Sequence, residues 1–254
     1  MKDLVKPGER IDDLQLNGLR IIQNPEGFCF GIDAVLVSNF CEIRRGDAVV
    51  DLGTGTGVIP LLIAGKSGAG HITGFEIQEE VGDMARRSVA LNGLEERVSI
   101  VTDSFLHAER YLKAGSAQVV VSNPPYVARG AGIHNQGSLK TGSRHEVHCT
   151  FEDVAQTASR LLQQGGRFYL VHRPDRLADV IAACRARQLE PKTIRFVQPK
   201  PDTAPNLFLM KCVKGGGPEL RFMAPLVVYK PDSTYTEEIY DIYRMECIDV
   251  FDRR

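Results

Sequence analysis

Short apolar segments alternate with segments of helical periodicity along most of this chain. The apolar segments are rich in valine, isoleucine and phenylalanine, and turn residues or helical stretches separate them. The seven apolar segments are DAVVDLG, HITGFEI, RVSIVTD, AQVVVS, RFYLVH, KTIRFV and NLFLMKCV. Strands that are apolar along their whole length are typical of a parallel sheet covered by helices on both faces. We therefore predict an α/β fold with a seven-stranded, mostly parallel sheet, whose last two strands can pair antiparallel.

Composition narrows the classes of protein to which this chain can belong. Its 254 residues include 31 basic and 32 acidic side chains, so no global field attracts it to nucleic acid or to an acidic membrane. Six cysteines lie far apart without a C-x-x-C pair, which argues against a disulfide framework or a zinc cluster. The N-terminal stretch lacks the apolar core of a signal peptide, and the longest apolar run is too short to cross a bilayer. We expect a cytoplasmic protein without a membrane span or a bound metal.

A glycine-rich turn follows the first apolar strand. DAVVDLG runs directly into GTGTGV, which gives the pattern D-x-G-x-G-x-G from Asp51 to Gly57. Such a turn lets a ligand lie against the backbone at the carboxyl edge of the sheet, where α/β folds bind cofactors. The dinucleotide fingerprint G-x-G-x-x-G requires glycine or alanine where this chain has Val58, so a nicotinamide cofactor does not fit.

Acidic residues end the next two strands. Glu76 follows HITGF, and Asp103 follows RVSIVT. Together with D-x-G-x-G-x-G, these acids resemble the class I methyltransferases that use S-adenosylmethionine (SAM). The resemblance implies a Rossmann-like fold and SAM as cofactor, with Glu76 on the ribose hydroxyls and Asp103 beside the adenine amine, although either acid alone could cap a helix. The implied cofactor-binding residues are Asp51, Gly53, Thr54, Gly55, Gly57, Glu76, Ile77, Asp103, Ser104 and Asn123.

The fourth strand, AQVVVS, runs into Asn123-Pro124-Pro125-Tyr126. Two consecutive prolines fix φ near about −65° and remove both N–H groups, so the turn presents carbonyl oxygens. By itself it could be an ordinary loop after a strand. At this position NPPY resembles the signature of methyltransferases that act on adenine N6, guanine N2 or the glutamine amide. The resemblance implies that the Asn123 side-chain oxygen and the Pro124 carbonyl accept hydrogen bonds from the target amine, while Tyr126 stacks on the base.

Two further segments resemble one subgroup of these enzymes. LRIIQNPEGFCFGIDAVLVSNF before the glycine turn and Arg144-His145-Glu146 after NPPY are similar to the bacterial tRNA1(Val) adenine N6-methyltransferases. The resemblance implies tRNA as the partner and methylation of the adenine just 3′ of the anticodon. It also places Phe30 and Asp33 near the cleft, where a core aromatic residue and a helix cap are the alternative. Three other functions stay open: a release-factor glutamine N5-methyltransferase, a ribosomal RNA guanine N2-methyltransferase, and a tRNA-binding protein without enzymatic activity.

A long polar segment separates NPPY from the next helix. It spans residues 127–149, which is unusually long for a connection, and we predict a lid. A disordered surface loop is the alternative. Its histidines and cysteine form one short cluster without a distant partner, which is too little to predict a metal site. The candidate substrate contacts in this segment are Arg129, Lys140 and Arg144.

The sequence divides into three predicted parts. Residues 1–32 form an extension that packs on the cleft, residues 33–230 form the methyltransferase domain, and residues 231–254 form a C-terminal helix. A helix is predicted over FLHAERYLKA, and helix caps are predicted at Asp33, at Thr150 with Asp153, and at Thr234 with Glu237. A second basic stretch is either part of an RNA footprint or a solvated face. Its cations are Arg185, Arg187, Lys192, Arg195 and Lys200.

Overall fold

The structure is a computed structural model that describes residues 4–27, 29–124 and 149–244. Its strands are β1 Arg10–Asp13, β2 Arg20–Gln23, β3 Ala48–Leu52, β4 His71–Glu76, β5 Val98–Thr102, β6 Ala117–Ser122, β7 Leu162–His172, β8 Leu189–Gln198, β9 Leu207–Lys214, β10 Arg221–Phe222 and β11 Leu226–Val227. Its helices are α1 Ile32–Phe40, α2 Val58–Lys66, α3 Glu79–Leu91, α4 Phe151–Leu161, α5 Leu177–Arg185 and α6 Glu237–Arg244. The alternation predicted from the sequence is therefore present.

One large sheet forms the centre of the molecule. Its strand order is β10-β8-β9-β7-β6-β3-β4-β5, and β11 also pairs with β8. Strands β3 to β7 run parallel, whereas β9 is antiparallel to both β7 and β8, as the sequence allowed. The predicted strand number, seven, is wrong, because the described part of the sheet has nine strands. The two extra strands, β10 and β11, have only two residues each and are too short to show a strand pattern in the sequence.

Helices cover both faces of the sheet, as predicted. One apolar cluster joins α1, α2 and α6 to one face, and a second cluster joins α4 and α5 to the other. Ile239 and Ile242 of α6 belong to the first cluster, so this helix packs on the chain's own core. In the described part of the chain, no helix is long and apolar enough to cross a membrane.

The predicted helix boundaries are confirmed in some places and wrong in others. Thr150 and Asp153 form the predicted capping box of α4. Asp33 is not the cap of α1, because the helix begins one residue earlier, after Gly31. Thr234 is not the cap of α6, since Asp232 already accepts hydrogen bonds from its backbone N–H and its hydroxyl in a turn. The predicted helix over FLHAERYLKA is only a 3-10 helix, Phe105–Arg110.

Candidate active site

The glycine turn between β3 and α2 is bonded to the end of β4. The backbone N–H groups of Gly53 and Thr54 both donate to the Phe75 carbonyl, at 3.0 and 2.8 Å. Gly53 and Gly57 have φ of 81° and 88°, which side chains other than glycine rarely adopt. A Cβ on Gly57 would lie 3.2 Å from the Ala85 Cβ, whereas one on Gly53 would meet nothing within 4 Å. Gly57 therefore packs against α3, and Gly53 faces open space at the carboxyl edge.

Glu76 connects the glycine turn to the residues that follow β4. Its carboxylate accepts hydrogen bonds from the backbone N–H groups of Gly55, at 2.9 Å, and Gln78, at 3.0 Å. Burial raises the pKa of this carboxyl, although the backbone hydrogen bonds act in the opposite direction. Two carboxylate oxygens have about four acceptor sites, so these two bonds leave capacity for hydroxyl donors of a ligand. The next residue, Ile77, is exposed and provides an apolar surface beside the carboxylate.

Buried polar atoms without partners lie beneath the same turn. Both carboxylate oxygens of Asp51 and the hydroxyls of Thr54 and Thr56 have no hydrogen-bond partner among the described residues. Burial raises the pKa of Asp51 to about 7, and the nearby Glu76 carboxylate acts in the same direction. Unpaired buried polar groups are costly, so proteins keep them mainly where a ligand or water completes them. This cluster and the open space at Gly53 fit a polar cofactor.

Asp103 is fixed in position at the end of β5. One carboxylate oxygen accepts from the Ser104 backbone N–H at 2.7 Å and lies 2.9 Å from His107 Nδ1. The other accepts from the Tyr111 hydroxyl at 2.9 Å, and the Tyr111 ring packs edge-on against Phe75. The hydrogen bond to His107 lowers the pKa of the Asp103 carboxyl, so it remains a charged acceptor. We did not predict His107 and Tyr111 as site residues, although the four-residue spacing Asp103-His107-Tyr111 would have indicated a shared helical face.

Asn123 follows β6, the direct neighbour of β3. Asp51 pairs with Val121 in the parallel register, and the Ser122 hydroxyl donates to the Leu52 carbonyl at 2.8 Å. These contacts bring Asn123 beside the glycine turn at the carboxyl edge. Asn123 is half-buried and Pro124 is buried.

The structure brings the described candidate site residues together at one edge of the sheet. The glycine turn, Glu76 and Ile77, Asp103 and Ser104, and Asn123 and Pro124 all follow neighbouring parallel strands. Asp33 lies in the first turn of α1, where it accepts from the Ala34 N–H at 2.9 Å, and Phe30 packs against the core. Pro125, Tyr126, Arg129, Lys140 and Arg144 lie outside the described residues, as does the predicted lid up to residue 148. No group of His, Cys, Asp or Glu side chains in the described ranges could hold a metal ion.

A parallel sheet with a glycine turn, orphaned buried polar atoms and acids at successive strand ends is the arrangement expected of a SAM-dependent methyltransferase. Residues 31–181 match the family model described as the methyltransferase small domain, which is more than half of the chain. The chain belongs to this family, and its cofactor is SAM.

Curated relatives include two proteins named tRNA1(Val) (adenine(37)-N6)-methyltransferase. The protein from Bacteroides thetaiotaomicron is 30% identical over 142 residues, which cover 56% of this chain and 58% of that protein. The protein from Phocaeicola vulgatus is 27% identical over 180 residues, which cover 71% of this chain and 74% of that protein. The chain thus aligns with less than two thirds of the first of these relatives.

Solved structures share the fold. A predicted O-methyltransferase from Agrobacterium tumefaciens is 25% identical, with a TM-score of 0.69, over 84% of this chain and 96% of that chain. A geranyl diphosphate methyltransferase in complex with SAM is 15% identical, with a TM-score of 0.53, over 70% of this chain and 82% of that chain. At that identity the second likeness concerns the fold alone.

Proposed function

We propose that this methyltransferase transfers a methyl group to the N6 amine of an adenine in tRNA, at the anticodon-loop position 37 of a valine tRNA. The names of the relatives support the substrate, and the sequence NPPY supports a planar nitrogen as the acceptor. Because tRNA is cytoplasmic, the same proposal places the protein in the cytoplasm.

The residues of the cleft divide the binding of the cofactor between them. SAM supplies a methyl group bonded to a positively charged sulfur. Glu76 would accept hydrogen bonds from the ribose hydroxyls, Asp103 would accept one from the adenine amine, and Ile77 would cover the base with apolar surface. The glycine turn allows close approach to the backbone at Gly53, and the orphaned atoms of Asp51 and its threonine neighbours complete the polar floor.

Asn123 and Pro124 orient the target amine. Its lone pair is delocalised into the base, so the amine is a weak nucleophile. When the Asn123 side-chain oxygen and the Pro124 carbonyl accept its two N–H bonds, the lone pair turns toward the methyl group and the developing positive charge is stabilised. Such preorganised acceptors typically contribute about 3 kcal/mol to lowering a barrier, and no strong base is required.

The observation that carries this proposal is the position of Asn123 beside the glycine turn. The β3–β6 register and the bond between Ser122 and Leu52 place the strand end that carries Asn123 next to Gly53. An acceptor at this place meets both the cofactor cleft and a substrate entering from the carboxyl edge. An asparagine elsewhere on the surface would reach neither the cofactor nor the substrate.

The test replaces Asn123 with alanine. We expect kcat to fall about 100-fold or more, because an aligned acceptor is lost, while the SAM dissociation constant changes less than about twofold. Labelled SAM and unmodified tRNA provide the assay, and mass spectrometry identifies the methylated nucleoside. Asn206→Ala, an exposed asparagine before β9 at the same edge, is the matched control.

Full activity in Asn123→Ala would exclude the proposed mechanism. N2-methylguanosine as the product would replace adenine with guanine as the substrate base, and a methylated glutamine would replace RNA with protein. Binding of tRNA without any methylated product would favour the non-enzymatic alternative.

A further inference from the structure

Surface cations of this protein divide between the two edges of the sheet. Residues that follow the parallel strands lie at the edge that carries Asn123, and residues that precede them lie at the opposite edge. Arg185 and Arg187 precede β8, so they lie opposite the cleft, whereas Lys200 follows β8 on the cleft side. The predicted second basic stretch is therefore not one continuous surface.

Internal contacts also hold most cations of that stretch. Arg185 pairs with Glu190 at 3.0 Å, and Arg195 pairs with Glu238 at 2.7 Å. Lys192 donates to the Pro218 carbonyl at 2.7 Å, and Lys200 donates to the Ser233 hydroxyl at 3.0 Å. These bonds fix the outer strands and turns of the sheet, and they make the stretch a poor footprint for RNA.

Arg173 is a cation at the rim of the cleft. It follows β7, and because Leu170 pairs with Ser122, the continued register brings Arg173 one residue beyond the level of Pro124 at the same edge. Its side chain is 59% exposed, and its contact with Asp175 is long, at 3.7 Å. A guanidinium held this loosely can exchange its carboxylate for a phosphate in a bidentate hydrogen bond.

A buried histidine fixes the backbone from which Arg173 projects. His172 Nδ1 accepts the Arg173 backbone N–H at 2.8 Å, and the His172 ring is only 5% exposed. Phe151 lies edge-on to this ring, with centroids 5.7 Å apart, and Phe208 lies on another side at 6.2 Å. The main chain at the rim is therefore held by a packed side chain, while the arginine side chain is mostly exposed.

We propose that Arg173, anchored at the cleft rim by His172, contacts a backbone phosphate of the RNA substrate next to the target base. The proposal rests on the proposed function, since it requires an RNA substrate. A phosphate contact from Arg173 strengthens the binding of the RNA strand and fixes its position, but it does not recognise the identity of the base.

The test compares Arg173→Gln with Arg187→Gln, a matched control at the opposite edge. Arg187 is exposed, and its side chain has no ion pair to any residue in the described ranges. tRNA affinity is measured by fluorescence anisotropy at several salt concentrations. We expect Arg173→Gln to weaken binding several-fold and to reduce the slope of log affinity against log salt by about one, with SAM affinity unchanged. Arg187→Gln should keep the wild-type slope.

A variant that is expected to strengthen tRNA binding distinguishes the loss of a contact from structural damage. Asp175→Asn removes the carboxylate that competes for Arg173, so we expect tighter tRNA binding. Glu96→Gln, at an exposed acid that precedes β5 on the opposite edge, should change tRNA affinity less. His172→Phe keeps an aromatic ring but loses the acceptor for the Arg173 backbone N–H. We expect it to weaken tRNA binding, but by less than Arg173→Gln does.

Equal affinities and salt slopes for Arg173→Gln and Arg187→Gln would overturn the inference while leaving the proposed function in place. Weaker tRNA binding by the Asp175→Asn variant than by the wild type would also overturn the inference. A wild-type protein that binds SAM but neither binds nor methylates RNA would contradict the proposed function itself. The two failures are therefore distinguishable.

Discussion

Single side chains at the carboxyl edge are held in different electrostatic environments. Asp103 is fixed by hydrogen bonds and stays charged, because His107 beside it lowers the pKa of its carboxyl. Asp51 is fully buried, and burial raises its pKa to about 7. The two carboxyls therefore respond differently to pH although they lie in one cleft.

Asp51 makes the stability of the SAM-free protein depend on pH. Its pKa rises from 3.8 to about 7 on folding, so between these values the folded state binds an additional proton and stability is lost as pH rises. We expect Asp51→Asn to remove a decrease on the order of 2 to 4 kcal/mol in the free energy of unfolding between pH 4 and 8. Urea denaturation across this range measures it.

The control for this prediction is Asp241→Asn, an exposed acid on α6. It should keep the pH dependence of the wild-type protein. The prediction is wrong if Asp51→Asn shows that same dependence, because the pKa of Asp51 would then be the same in the folded and unfolded states.

At the scale of elements, the turn between β3 and α2 uses its glycines for two purposes. Gly57 allows α2 to start against α3, and Gly53 keeps the cleft open. Both positions have positive φ, which costs any L-residue roughly 1 to 2 kcal/mol. The difference between them lies in what a side chain would meet.

Alanine at each position should separate packing from binding. We expect Gly57→Ala to be the less stable variant in urea, because it adds a close contact with Ala85 to the same backbone strain. Gly53→Ala should be destabilised by about 1 to 2 kcal/mol and should lose SAM affinity about tenfold or more, since its methyl group enters the cleft. Calorimetric titration with SAM at a temperature where both variants are folded measures the affinity. Wild-type affinity in Gly53→Ala would show that SAM binds elsewhere.

At the scale of the whole molecule, α6 belongs to the core that supports the sheet. Ile239 is fully buried in the cluster formed with α1 and α2, although it lies far along the chain from these helices. The rings of Tyr229 and Tyr235 stack on each other and pack against this cluster. The Tyr229 backbone N–H also donates to the Pro199 carbonyl, just after β8. The described residues after 231, up to Arg244, are thus packed into the fold, and the boundary at residue 231 stays a prediction.

Truncation of Ile239 tests this integration. Ile239→Ala should lower the free energy of unfolding by about 2 to 5 kcal/mol, because a fully buried side chain leaves a cavity. Tyr240→Ala, on the exposed side of the same helix, should cost much less. Both are measured by chemical denaturation. A small effect of Ile239→Ala would mean that α6 is detached in solution.

Local patterns carried most of the successful predictions. The glycine turn, the acids at strand ends and the capping box at Thr150 depend on neighbouring residues, and each is visible in a short stretch of sequence. The partners of Asp103 were missed because His107 and Tyr111 lie in a segment interpreted as an ordinary helix. His172 was missed because its packing against Phe151 and Phe208 joins residues far apart in the chain.

The sequence by itself determined the α/β order of strands and helices through its periodicity, and the resemblance of its glycine turn and strand-end acids to SAM methyltransferases indicated the class. The tertiary structure decided which edge each charge occupies. Strand direction within the sheet places Arg173 at the same edge as Asn123 and Arg187 at the opposite edge, although both are arginines that adjoin strands. That outcome depends on pairing between distant segments, and no local pattern encodes it.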